Sequence, residues 1–389
     1  MQLFDDGVRT DGSPAKASED SFSFLNRAAG PFWATIRDEL ERWFADYPAA
    51  EAPGLRSRFR NRRPDQHWAA WWELYLFRLF GCLGFEVDVH PEMPARMTRP
   101  DFRLRRERNV YVEATTVFSG IVEEGRSAER EAWMVDALNE VKSTDFVVWL
   151  HYDQVGMERP GVREVTTPVE EWLTTLDADE AELVRKAGGS LPTETFAIRN
   201  WLVRLEALPR RPERRTQPAA QFVGVGPMSI GFVDDRYRIG RALESKKRQS
   251  RVENDPAVLA VLGMSPVLDE EDVTQALFGS DAVEIPSGRF VRQPDGFWRS
   301  RRGASGTGVS GVLVGSAIHP WSVAKTLPRL WLNRWATTPL EMELPFPLAV
   351  VKDEQLAFAD ATRPPHEVFG LPSDWPGDPD SRFVGESES

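Results

Sequence analysis

Two acidic residues lie where an alternating segment turns back on itself. Asp101-Phe-Arg-Leu104 and Val110-Tyr-Val-Glu-Ala-Thr-Thr-Val117 are separated by five residues, Arg105 to Asn109, a spacing that predicts a β-hairpin. If Leu104 faces Val110, antiparallel register sets Asp101 directly opposite Glu113. The alternation then sorts Phe102, Leu104, Val110, Val112 and Ala114 onto one face and Asp101, Tyr111, Glu113 and Thr115 onto the other. Opposed carboxylates held about 5 Å apart across two strands repel each other. A divalent cation between them removes the repulsion, and such an ion can activate water and neutralise charge on a phosphate being cleaved. An edge hairpin with acids on a wet face explains the same spacing without chemistry, and the hairpin alone does not choose between the two.

A third acid stands among apolar residues. From Trp68 to Leu83 only Glu73 and Arg78 carry formal charge, and Glu73 has Ala69, Leu76 and Phe77 one helical turn away. A buried carboxylate needs a cation, a metal or a proton. An arginine from the run Arg56, Arg58, Arg60, Arg62 and Arg63 would serve, and so would a metal shared with the hairpin. Other motifs carry less. Gly306-Thr-Gly-Val-Ser-Gly311 spells G-x-G-x-x-G but leads into the strand-like Val312-Leu-Val314, whereas dinucleotide binding needs a helix there. The five histidines, His67, His90, His151, His319 and His366, lack metal-site spacing. Cys82, the single cysteine, reads as a core residue and rules out an intramolecular disulfide framework.

These residues need elements to hold them. Aromatic and aliphatic residues at helical spacing predict a helix over 30–47, and an Arg-rich loop follows to residue 64. Asp65 stands at the N-cap position of an almost wholly apolar helix, His67 to Leu83, closed at Gly84. The period then changes to two: a strand over 85–90, the hairpin, a helix over 127–142 and a strand over 146–150. The alternation of helices and strands indicates an α/β fold. Further on, 168–188 reads as helix, 196–208 as helix or strand, 235–251 as helix, 257–262 as a buried strand and 267–277 as helix. The division expected is a mobile leader over 1–30, a core over 65–265 with an insertion near 153–220, an α/β extension over 266–352 and a disordered acidic tail over 353–389.

The 389 residues carry 60 acidic and 48 basic side chains, a net charge of −12. The segment 353–389 holds nine acids against two arginines and so contributes more than half of that charge, which leaves a nucleic-acid partner open. Only seven of the basic residues are lysines, so a lysine that does chemistry comes from a short set. Arginines flank the hairpin at Arg96, Arg99, Arg103, Arg105, Arg106 and Arg108, and follow it at Arg236, Arg238, Arg241 and Arg248. No apolar run has the length of a signal peptide or a membrane span, which predicts a cytoplasmic protein without a membrane partner.

A helical glutamate, a strand, Pro100-Asp101-Phe102 and then Val112-Glu113-Ala114-Thr115 resemble the PD-(D/E)XK nuclease superfamily over residues 65–152, and a helix ending Glu244-Ser-Lys246-Lys247 with the strand after Pro256 resembles its later part. The resemblance implies a restriction-endonuclease-like core, a central mixed sheet flanked by helices. It also implies a Mg²⁺ or Mn²⁺ site built by Asp101 and Glu113, with Glu73 as the helical acid, and hydrolysis of phosphodiester bonds in DNA, a reaction used in defence against foreign DNA. This chain departs from the pattern at the lysine, where it has Thr115. A threonine can position water or phosphate but brings no positive charge. Lys246 or Lys247 is expected to supply it from the later helix, with Lys142 as the next choice. The rival expectation is a non-catalytic module of the same fold that binds nucleic acid or assembles with protein. The oligomeric state, dimer included, is not legible.

Overall fold

Aromatic side chains at helical spacing build the first layer. In the computed structural model, which describes residues 1–93, 99–118, 124–217, 219, 221–224, 235–247, 254–265, 268–284, 289–352 and 355–378, helices α1 (Ser21–Arg27), α2 (Pro31–Asp46), α3 (Ala52–Phe59) and α4 (Pro64–Cys82) come first. Helix α4 is buried nearly all round, and its indoles find partners: Trp71 donates to the Ile318 carbonyl at 2.8 Å and Trp72 to that of Ala260 at 3.1 Å. Pro64 opens α4, so Asp65 lies in its first turn instead of capping it. The expected loop 48–64 contains α3, anchored by the buried Leu55 and Phe59.

The leader is part of the core, contrary to expectation. Leu3 and Phe4 are buried, the Glu41 carboxylate accepts both their N–H groups, and Phe4 packs on Phe22 and Phe59. These contacts are made across long sequence separations, so no local periodicity announces them. Strands β1 (Glu86–Val89), β2 (Phe102–Arg105) and β3 (Asn109–Val117) follow, and β2 pairs with β3 in the expected register, Leu104 facing Val110.

The chain divides into two compact units. One comprises Met1–Gly12, Asp20–Ser119 and Asp234–Ser389, the other Ser13–Glu19 and Gly120–Val233. The second contains α5 (Glu124–Leu138), β4 (Phe146–Gln154), α6 (Val162–Thr174), α7 (Ala178–Lys186), β5 (Thr193–Ile198), β6 (Trp201–Pro209) and β7 (Val223–Gly224). Its described strands form a sheet in the order β5-β6-β4-β7, and its own core includes Leu138, Phe146, Val148, Val165, Trp201 and Phe222. The helix and strand expected to continue the core over 127–150 therefore belong to this unit, and the insertion is wider than 153–220. An apolar strand such as Phe146–Leu150 fits either sheet equally well, and only its pairing with β6 decides.

The first unit resumes with α8 (Asp235–Lys246), β8 (Ala257–Gly263) and α9 (Glu270–Phe278). Two small hairpins, β9 (Asp281–Glu284) with β10 (Arg289–Arg292) and β11 (Arg299–Ser300) with β12 (Gly303–Ala304), lead to β13 (Gly311–Ser316), β14 (Arg329–Leu332), β15 (Leu348–Lys352), β16 (Gln355–Ala359) and α10 (Pro365–Phe369). Of the described strands, eight form a mixed sheet in the order β1-β2-β3-β8-β13-β14-β15-β16, with β8 parallel to both β3 and β13. Every residue of β8 is buried, as a central parallel strand requires. On one face Phe102, Leu104, Val112 and Ala260 pack with α4; on the other Leu259, Val261 and Val312 pack with Ile239 and Leu243 of α8 and Leu277 of α9. The fold is thus α/β, a central mixed sheet flanked by helices.

Two further expectations are corrected. Residues 266–352 do not form an extension beside the core, because β13, β14 and β15 are strands of its sheet. The tail supplies β16 and α10, and Val368, Phe369 and Trp375 are buried, Phe369 stacking on Trp43 with ring centroids 5.5 Å apart. Sparse apolar residues among acids suffice when each is buried in the common core. Residues 379–389 lie outside the described residues. Among those described, no helix is long and apolar enough to cross a membrane.

Candidate functional site

Register brings three side chains into one row. Val89 of β1 pairs with Phe102 of β2, which pairs with Val112 of β3, so the next positions are His90, Asp101 and Glu113. Two hydrogen bonds fix the row: the His90 N–H donates to the Asp101 carbonyl at 2.9 Å, and the Ala114 N–H donates to Asp101 Oδ2 at 2.7 Å. His90 has φ of +44°, in the left-handed region that non-glycine residues rarely occupy. Its Nδ1 lies 3.0 Å from Glu51 Oε2, and its Nε2 lies 3.9 Å from Asp101 Oδ1 and 3.8 Å from Glu73 Oε1.

Glu113 is 3% exposed. Its Oε2 takes Lys246 Nζ, from the last residue of α8, at 3.1 Å, and its Oε1 is buried with no hydrogen-bond partner. Burial and then the nearby Asp101 push the Glu113 carboxyl up to about 7, against the pull of Lys246. Burial also raises Asp101, opposed by the Ala114 N–H and by Lys246. The buried Glu113 and the half-buried Asp101 stand at facing register positions, Lys246 pairs with Glu113, and one Glu113 oxygen is left over, so the site is electrostatically unsaturated.

Glu73 has found the cation that its burial demanded. Its Oε2 pairs with Arg58 at 2.7 Å and its Oε1 accepts the Tyr47 hydroxyl at 2.5 Å. Burial and the Glu73 charge push the Tyr47 hydroxyl well above its ordinary range, which keeps it a donor. Both Glu73 oxygens are thus engaged, and its place is beside His90. Thr115, half-buried, follows Glu113 by two residues and so shares its face of β3.

Other expected residues have other partners or belong to the other unit. Lys247 is held by Glu244 at 2.9 Å and Ser305 Oγ at 3.1 Å, with Phe297 under its amine, and Lys142 belongs to the second unit. Part of the arginine flank is neutralised by carboxylates. Arg103 and Arg105 pair with Asp88, Arg99 with Glu51, and Arg238 donates to the Phe118 carbonyl, while Arg106 lies over the Phe85 ring. Arg96 and Arg248 lie outside the described residues. Sequence reasoning missed His90 and Tyr47. The usable signal was that His90 ends β1 just where the chain must turn, but pairing across residues 91–101 has no local signature.

Among the described residues, no three or more His, Cys, Asp and Glu side chains come together as a ready metal site. A two-carboxylate site does fit a hard cation: Glu113 Oε1 is an orphaned buried acceptor and Asp101 Oδ1 faces the same row. Mg²⁺ is commonly held by one or two carboxylates with water and substrate phosphate completing its shell. A scan against protein-family models matches none, and searches of curated proteins and of solved structures return no match. The nuclease resemblance therefore rests on this chain's own residues and their arrangement.

Proposed function

We propose that the chain hydrolyses phosphodiester bonds of DNA, with Mg²⁺ or Mn²⁺ held by Asp101 and Glu113. The observation that carries this reading is the 3.1 Å approach of Lys246 Nζ to Glu113 Oε2. The positive charge missing at Thr115 is thereby returned in space by α8. When bound, the ion would supply Lewis acidity and lower the pKa of its water. The protein's own groups do the rest. Lys246 offsets negative charge building on the phosphate oxygens. Thr115 orients a water or a phosphate oxygen. Glu73, fixed by Arg58 and Tyr47, holds a negative charge beside His90 and so helps set the His90 ring against Asp101; this is a positioning role instead of the ligand role expected for it.

A second reading, a non-catalytic module that binds nucleic acid, is favoured by the same ion pair, since Lys246 already compensates Glu113 without any metal. Cleavage separates the two. Supercoiled and linear DNA should be cut by the full chain with Mn²⁺ or Mg²⁺, and Asp101→Asn and Glu113→Gln should abolish cutting while circular dichroism stays unchanged. Binding without cutting under those conditions would select the module.

A further inference from the structure

Helix α8 has a second working face. Ile239 and Leu243 are buried against the sheet and Lys246 reaches Glu113, while Arg236, Tyr237, Gly240 and Arg241 line a cavity of about 330 Å³ closed by Gln275 of α9 and by Phe297. That volume lies within the range of about 300–1,000 Å³ usual for small-ligand sites. The carboxylates in the cavity are already engaged. Asp295 accepts the Ser280 N–H at 2.7 Å and hydroxyl at 2.8 Å and faces Arg236 at 3.5 Å, and Glu244 holds Lys247. Arg241 has no carboxylate partner among the described residues, and its guanidinium lies 5.8 Å over the Tyr237 ring. Tyr237 is 59% exposed.

Gly240 is the informative residue. A glycine inside a helix is less stable than alanine. Neither crowding nor backbone conformation requires it here, because a Cβ at position 240 meets nothing within 4 Å and the residue has ordinary helical geometry. What the missing side chain leaves is clearance in the cavity. An exposed ring, a guanidinium with no carboxylate partner among the described residues, a side-chain amide and cleared floor between them suit a nucleotide: a base on the ring, its polar edge at Gln275, its phosphate on Arg241. Arg241 lies ~7.5 Å along the helix axis from Lys246 and about 140° around it, so the groove and Lys246 are on different faces of α8.

We propose that this groove takes a nucleotide of single-stranded DNA, with its base stacked on Tyr237 and its phosphate on Arg241. The inference rests on the nuclease reading for its substrate but stands on different residues. The test is fluorescence anisotropy of labelled oligo(dT) with the full chain in EDTA, where no cutting occurs. Tyr237→Ala and Arg241→Glu should each weaken binding roughly tenfold, the loss expected for one stacked base. Gly240→Trp should weaken it comparably by filling the floor, while Gly240→Ala raises the thermal midpoint. Wild-type affinity in all three groove variants would overturn the proposal, as would absence of oligo(dT) binding or tighter, groove-dependent binding of a duplex of equal length. The two readings fail separately. Loss of binding in the groove variants of a protein that never cuts DNA with Mn²⁺ supports the groove and sinks the nuclease, whereas a cutting enzyme whose three groove variants all keep wild-type oligo(dT) affinity sinks the groove alone.

Discussion

Lys246 and Glu113 stand 133 residues apart in the chain and 3.1 Å apart in the fold. The pairing couples α8 to β3, so the helix that supplies the cation is positioned by its own core contacts, Ile239 and Leu243 against Leu259 and Val261. Lys247, one residue further, rotates about 100° around the helix axis and is captured by Glu244 and Ser305. Lys246→Met should therefore reduce cleavage by about 10²–10³-fold, the scale of one lost charge-stabilising group. Lys247→Met should leave cleavage within about threefold of wild type, small against that scale. Equal losses in the two variants would mean that neither lysine acts at the reacting phosphate.

Cation binding should be coupled to a proton. Burial holds the Glu113 carboxyl at about 7, so near neutral pH the metal-free protein carries it partly protonated, and a cation selects the ionised form. Mn²⁺ affinity should then rise with pH up to about 7 and level off above, with protons released during binding at pH 6. Calorimetry in two buffers of different ionisation enthalpy measures that release. In Glu113→Gln the residual affinity should be weaker and nearly independent of pH over this range. A wild-type affinity that does not change between pH 6 and pH 8 would contradict the assignment.

Legibility of the sequence followed the range of the interactions. The hairpin was readable because alternation and a five-residue turn are local, and Leu104 does face Val110. The apolar run of α4 was readable for the same reason. The assignment of Phe146–Leu150 to the first sheet failed because an apolar strand does not encode which sheet it joins. The tail misled through its charge: Val368, Phe369 and Trp375 are few, yet all three are buried in the common core, Phe369 against Trp43 of α2 and Tyr75 of α4. At the site, Asp101 and Glu113 came from register, whereas His90, Arg58 and Tyr47 depend on how α2, α3 and β1 pack around α4.

Glu73 tests structural against ligand roles. Its side chain is 6% exposed and paired with Arg58 and Tyr47, so Glu73→Ala strands a cation and a hydroxyl in a buried setting. Breaking such a pair costs about 3–5 kcal/mol. Urea unfolding should show a loss near the lower end, because Arg58 is one-third exposed and water can reach it. Glu73→Gln retains an acceptor for Tyr47 and should lose less. Mn²⁺ affinity in Glu73→Gln should stay within about threefold of wild type, a change under 1 kcal/mol. A loss above tenfold would restore Glu73 to the ligand set.

His319 should make the first unit sensitive to acid. Its ring stacks on Trp321 at 4.7 Å and meets Trp68 edge-on at 5.2 Å, and its Nδ1 is buried without a hydrogen-bond partner. Burial pushes its pKa down from 6.5 to about 4, so the folded chain keeps the ring neutral while the unfolded chain protonates it below 6.5. A depressed folded pKa contributes stability that is fully present above pH 6.5 and is lost as pH falls toward 4. At about 1.4 kcal/mol per pKa unit, the loss from this group reaches at most about 3.5 kcal/mol. Carboxylates titrate in the same interval, so the difference between wild type and His319→Phe isolates the histidine. The variant keeps an aromatic ring against Trp321 and removes the titrating nitrogen. Denaturant midpoints from pH 7.5 to 4.5 should fall less steeply for His319→Phe than for wild type; parallel curves would show that the ring is already charged, or solvated, in the folded protein.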